Sequence, residues 1–384
     1  MKKLLAMILM LILVFSLAAC GSGSGDEVPP AVDGDGESQE NPLRVCLVIN
    51  NLGDNSFNDS CNNGLLEAAR DFGIEYDCRQ VGDDGVINGA REAAQAGYDI
   101  VCLAYDSDRR AFLDAESMDY PNTIFFIYDN SDTEYVPNEN VLSVIFSANE
   151  SDFVCGAISA IQSTSKVTGW VGGQEIMVLY DFLIGWVEGV KYADPNATTA
   201  YSWIAGDSPW YDPAKGKELA KALYNNYKAD IIHGVAGQSG DGVIEAILEI
   251  REAGDDTVWS VGVDCDQYAV FMENGKEEKA EVILTSSLKK VATPVYNLIK
   301  TVVEGGTPVL GNQVYGIAEG AAGCADNEFF YQVAKPEAAA IADQITADVR
   351  SGKLNVDSAY GLTIDELKKI FEATTINYEL PNLA

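Results

Sequence analysis

The alternation of apolar and amphipathic stretches in this chain runs through the same order twice. Residues 43–129 begin with LRVCLVI, a strand, and SCNNGLLEAARDFG, a helix that closes at Gly73. GVINGAREAAQAG then predicts a helix, YDIVCLAY a strand, and TIFFIYD a strand closing at Asp129. From about residue 148 the order starts again with VTGWVGG, FLIGWVEGVKYAD and KGKELAKALYNNYKADIIHGVAG, and it ends in TVWSVGVD, a strand closing at Asp264. Asp99 and Asp129 of the first half answer Asp230 and Asp264 of the second at nearly the same separation. Short apolar strands alternating with amphipathic helices predict parallel sheets covered on both faces. Repetition of the whole unit predicts an α/β protein of two similar Rossmann-like lobes, and 384 residues suffice for two domains. Ligands of open parallel sheets sit beyond the carboxyl ends of the strands. Two such lobes around a hinge make a cleft that can close on a small molecule.

Composition narrows the partners. The 59 acidic against 25 basic side chains give a formal charge of −34, which repels phosphate backbones and argues against nucleic-acid binding. Lys2 and Lys3 precede the continuous apolar run LLAMILMLILVFSLAA, the pattern of a processing signal. Leu17-Ala18-Ala19-Cys20 resembles the lipobox of bacterial lipoproteins. That resemblance implies a signal peptide at 1–19 and a diacylated Cys20, whose two acyl chains suffice for a membrane anchor. Residues 21–42, GSGSGDEVPPAVDGDGESQENP, have no apolar periodicity and read as a flexible tether with an r.m.s. reach of roughly 25 Å. The eight cysteines do not predict a disulfide framework, because Cys46, Cys102, Cys155 and Cys265 lie in apolar surroundings. Cys61–Cys78 is the pair the sequence least excludes. With no CxxC and one histidine, His233, no zinc site is expected.

The segment NNLGDNSFNDSCNNG (50–64) leaves the first strand at its carboxyl end and sets one aromatic residue, Phe57, among polar ones. Its Asn, Asp and Ser side chains can cap the following helix or meet a polar ligand, and Phe57 can pin the loop or stack on a flat ligand. D-N-S-F-N-D begins like a calcium loop, but Asp59 stands where glycine is needed and Leu65 where glutamate is needed. Asp129 and Asp264 can equally be turn formers or ligand groups. No G-x-S-x-G occurs, and a histidine-dependent triad would rest on His233 alone, within the strand IIHGVAG.

DNSFNDSCNNG resembles the D-x-S-F-N-x-x-x-x-x-G signature of the basic membrane protein family, and further motifs follow in order. They are FVCGAISA (153–160), VTGWVGG (167–173), WYDPAKGKELA (210–220), GVAGQSGDGVIEA (234–246), VGVDCDQ (261–267) and LTSSLKKV (284–291). The resemblance covers roughly residues 43–350. It departs at QEIMVLYDF, which lacks the family's acid–proline pair, and at Cys265, where serine is common. It implies a type I periplasmic-binding-protein fold, with lobe 1 at 43–147 plus 287–315, lobe 2 at 148–286 plus 316–350, and an extension of unassigned role at 351–384. It further implies a monomeric, non-enzymatic, lipid-anchored receptor, free of metal and cofactor, that delivers a purine nucleoside (guanosine, inosine or adenosine) to ABC permease subunits. By the same resemblance Phe57 and Trp210 offer aromatic faces to the base, and Asp54 and Asn58 meet its edge. Asp129 and Asp264 accept ribose hydroxyls, Lys289 of SSLK reaches the ligand, and Gly237 lets backbone amides approach it. A sugar or other small-molecule receptor that signals without import, or a nucleoside hydrolase, is the alternative.

Overall fold

The structure, a computed structural model, describes residues 42–377. The expected signal peptide and Cys20 lie outside the described residues, as does the tether up to residue 41. Twelve strands follow in chain order among the described residues: β1 (Arg44–Ile49), β2 (Glu75–Gln80), β3 (Ile100–Ala104), β4 (Ile124–Tyr128), β5 (Val141–Phe146), β6 (Val167–Gly172), β7 (Thr198–Trp203), β8 (Ile231–Val235), β9 (Trp259–Asp264), β10 (Ile283–Lys289), β11 (Gly311–Tyr315) and β12 (Ala322–Cys324). They form two six-stranded sheets, ordered β11-β5-β4-β3-β1-β2 and β12-β10-β9-β8-β6-β7. Pairing is parallel throughout, except that β12 runs antiparallel to β10. Both faces of the first sheet are dry. Val45 and Leu47 of β1 enter one apolar cluster while Cys46 and Val48 enter another, as expected of a parallel strand covered by helices on each side.

The repetition in the sequence corresponds to a repetition in hydrogen bonding. Asp99 N donates to Arg44 O at the start of β1, and Asp230 N donates to Val167 O at the start of β6. Ile124 N then donates to Asp99 O, as Trp259 N does to Asp230 O. Asp129 and Asp264 close β4 and β9 in the same left-handed backbone conformation, with φ of 68° and 65°. Two aspartates are thereby turned out at equivalent carboxyl ends.

The chain passes between the sheets three times. It leaves β5 for the helix Ala148–Gln162, leaves β10 for the helix Ala292–Val303, and runs from β11 to β12. β10 stays in the second sheet beyond position 287, through Lys289. The segment 351–377 is ordered against the second sheet. Its helix Ile364–Thr374 is started by a capping box of Thr363 and Glu366 and buries Leu367 and Phe371. Thr375 then bridges Thr199, and Ile376 N donates to Thr199 O at 3.0 Å. The backbone edge of β7, otherwise open to pairing with another chain, is covered in this way. Cys61, Cys78 and the other five described cysteines are free thiols. Among the described residues no helix is long and apolar enough to cross a membrane.

Candidate functional site

The loop after β1 is organised by two of its own carboxylates. Asp54, buried at 5% exposure, accepts from the backbone N–H groups of Ser56 (3.0 Å), Asn58 (2.9 Å) and Asp59 (3.1 Å). Asp59 accepts from Gly53 N and Asn55 N, each at 2.8 Å. Such bonds favour an ionised carboxylate, yet burial dominates at Asp54 and pushes its pKa up to about 6. Asn58 donates to Asn50 Oδ1 at 3.0 Å, and burial raises the Tyr211 phenol of the other lobe, with Asn51 and Asn58 opposing. The polar residues around Phe57 thus shape the entry into the helix Phe57–Phe72.

Asn55 carries the loop across to the second lobe. Held at φ 49°, it accepts at its carbonyl from Gln267 Nε2 (2.9 Å) and Cys265 Sγ (3.4 Å), and its side chain donates to Asp241 Oδ2 (3.1 Å). Ser56 occupies the N-cap position but caps nothing, because its hydroxyl donates to Asp264 Oδ2. These bonds join the loop of the first lobe to the second.

The charges converge behind this seam. Lys289, at the end of β10 and 4% exposed, places Nζ 2.7 Å from Asp129 Oδ2 of the first lobe and 3.8 Å from Asp264 Oδ1 of the second. The ammonium also lies 5.1 Å from the Phe57 ring centroid and 4.9 Å from that of Phe182, within cation–π range. Burial works against the charge on Lys289, but Asp129 and Asp264 outweigh it and hold its pKa above the ordinary value. Asp264 is raised, chiefly by burial, with Lys289 and Ser56 opposing. Asp129 Oδ1 is buried and has no protein partner.

The aromatic residue of the second lobe is fixed separately. Trp210 packs its ring against Gly173, where a Cβ would fall 2.4 Å from it. Gly237 stands beside it at φ 53° and ψ −137°, a conformation that glycine alone adopts freely, and heads the helix Gln238–Glu252. The ring partner of Phe57 is Tyr128, edge-on at 6.3 Å. The structure therefore gathers Phe57, Asp129, Asp264 and Lys289 into one cluster, keeps Asp54 in the loop that borders it and Asn58 in the first turn of the helix that follows, and sets Trp210 with Gly237 at the strand ends of the second sheet.

Ser56, Phe182, Asn55 and Gln267 were not among the residues expected from sequence. Ser56 is indistinguishable there from a helix cap, and Phe182 reads as core. His233 is the middle residue of β8 and fully buried, with Nδ1 3.0 Å from Val261 O, Nε2 3.1 Å from Asp152 Oδ1, and the Trp186 ring stacked at 5.0 Å. It is a packed structural residue of the second lobe.

A family model described as ABC transporter substrate-binding protein PnrA-like matches residues 44–351. Basic membrane protein A of Borreliella burgdorferi is 29% identical over 338 residues, which are 85% of this chain and 88% of that relative. The ABC transporter nucleoside-binding protein BmpA of Lactococcus lactis subsp. cremoris is 27% identical over 277 residues, 69% and 76% of the two chains. Among solved structures, an ABC transporter system solute-binding protein from Aeropyrum pernix K1 superposes with a TM-score of 0.69. It is 24% identical and covers 87% of this chain and 100% of its own.

Proposed function

Because the chain belongs to the PnrA-like family of ABC transporter substrate-binding proteins, we propose that it captures a purine nucleoside between its lobes and delivers it to a membrane permease. The observation that carries this reading is the ammonium of Lys289 held between two strand-end carboxylates, Asp129 of one lobe and Asp264 of the other, with the Phe57 ring beside it. Carboxylates at that point accept ribose hydroxyls, each charge-assisted bond contributing about 1.5–3 kcal/mol. Phe57 and Trp210 offer the base aromatic faces that tolerate any purine, worth about 1–3 kcal/mol each on substitution. Asp54 of the loop and Asn58 of the first helical turn after it serve the base edge, and Gly237 leaves room for backbone contact. The nucleoside-binding name of the Lactococcus relative supports the ligand class. The lipobox-like LAAC and the tether after it support anchoring through Cys20 on the outer face of the membrane.

Calorimetry on residues 21–384, unfolded and refolded to release any carried ligand, tests the proposal. Guanosine, inosine and adenosine are expected to bind at micromolar Kd or tighter, with cytidine weaker and free ribose inert. Binding of ribose without nucleosides would replace the reading with a sugar receptor. Release of free base during incubation would make the protein a hydrolase. Loss of nucleoside uptake in a deletion strain separates import from signalling.

A further inference from the structure

The residues after 351 lie beyond the family match, yet they bond back to the helices Ala148–Gln162 and Met177–Ala193. Asn149 Nδ2 donates to the carbonyls of Val356 (3.2 Å) and Asp357 (3.0 Å). Ser358 Oγ and Ala359 N both donate to Asp181 Oδ1, at 2.6 and 2.9 Å. Asp181 is fully buried and immediately precedes Phe182, the residue whose ring faces the Lys289 ammonium. The turn Ala359–Gly361 is therefore pinned to the helix Met177–Ala193 that carries Phe182, and Tyr360 is its central residue. The Tyr360 hydroxyl is buried and has no protein partner. A buried phenol ordinarily finds a partner, and leaving one without costs about 1–3 kcal/mol. Burial first, and then the charges of Asp181 and Asp129, keep this phenol neutral and able to donate. Asp129 is in the complementary condition, with Oδ2 on Lys289 and Oδ1 unpartnered.

We propose that Tyr360 is a ligand-contacting residue of the cleft, donating its phenolic hydrogen to a ligand hydroxyl whose own hydrogen goes to Asp129 Oδ1. An ionised carboxylate oxygen can only accept, so a single ligand atom serving both groups must donate to one and accept from the other. An alcohol oxygen does both, whereas a base carbonyl only accepts and a base amino group only donates. Tyr360 therefore reads the ribose and is indifferent to the base. The inference rests on the nucleoside reading and extends it: the C-terminal extension becomes part of the ligand site.

The test is calorimetry of the wild type and Tyr360→Phe with guanosine, inosine and adenosine, and with 2′-, 3′- and 5′-deoxyguanosine. Tyr360→Phe is expected to weaken all three ribonucleosides alike by about 2- to 12-fold, the range of one neutral hydrogen bond. The penalty should vanish for the one deoxynucleoside that lacks the contacted hydroxyl, and Tm should be unchanged or higher. Equal affinities in the two proteins, or a full penalty retained with every deoxynucleoside, would overturn the proposal while nucleoside binding stands. A wild type that binds no nucleoside is a separate outcome and would remove both readings.

Discussion

Lys289 keeps its charge in a place where a charge is expensive to bury. Two carboxylates and two aromatic faces surround the ammonium, and the carboxylates come from opposite lobes. Removing the cation would leave Asp129 and Asp264 facing one another without a counter-ion, and breaking a buried pair in this way costs about 3–5 kcal/mol. Lys289→Met retains the side-chain length and removes the charge. It is expected to lower the urea-unfolding free energy by that amount at pH 8 and by clearly less at pH 5, where an uncompensated carboxylate takes up a proton. Equal losses at the two pH values would mean that Lys289 contributes packing and not charge. Its nucleoside affinity at pH 5 should fall at least tenfold, read by calorimetry, because the carboxylate that takes up a proton there loses its acceptor strength.

The loop 50–58 acts as an element, and its reach across the cleft depends on Gln267. That side chain is 2% exposed, accepts from Val263 N at 3.2 Å through Oε1 and donates to Asn55 O at 2.9 Å through Nε2. Gln267→Ala is expected to shift the lobes toward the open form and weaken the apparent nucleoside Kd about fivefold, the effect of one lost hydrogen bond on the closed population. Small-angle scattering of the unliganded variant should give a larger radius of gyration than the wild type; an unchanged radius would mean that the seam does not set the closed population. The repeated strand–helix units were legible in the sequence because apolar runs such as LRVCLVI and TIFFIYD can be little else. Asp129 and Asp264 were legible because they end such strands, and Lys289 through the family resemblance of its SSLK stretch. β11 and β12 were not, since GNQVY is polar and half-buried and AGC spans three residues. The extension after 351 carried no periodicity that would tie it to the cleft. Its anchors Asp181 and Asn149 lie more than 170 positions upstream in helices, and only the fold brings those partners together.

At the scale of the whole molecule, charge and burial act in the same direction. The chain carries −34 at neutral pH, and several of its carboxylates are buried away from any cation. Burial raises Asp54 to about 6, and Asp181 and Glu188 to about 7. A carboxyl group that holds its proton more tightly when folded lends stability as pH falls through its folded pKa toward its unfolded value near 4. From pH 8 down to about 5 these three groups therefore stabilise the fold, and each tenfold gain in proton affinity on folding corresponds to about 1.4 kcal/mol. Declining self-repulsion adds to the effect. The opposing groups act lower: Glu249, held down to about 2 by Lys217 and Lys221, contributes stability that disappears only below about pH 4.5. Tm is accordingly expected to rise by at least about 3 °C between pH 8 and pH 5 and to fall again by pH 3. Scanning calorimetry across that range, repeated in 0.5 M salt, separates the two contributions, because salt screens exposed charges and leaves buried ones nearly untouched. A rise that survives salt belongs to Asp54, Asp181 and Glu188. A rise abolished by salt would assign it to surface repulsion, and Asp181→Asn would then leave the pH profile unchanged.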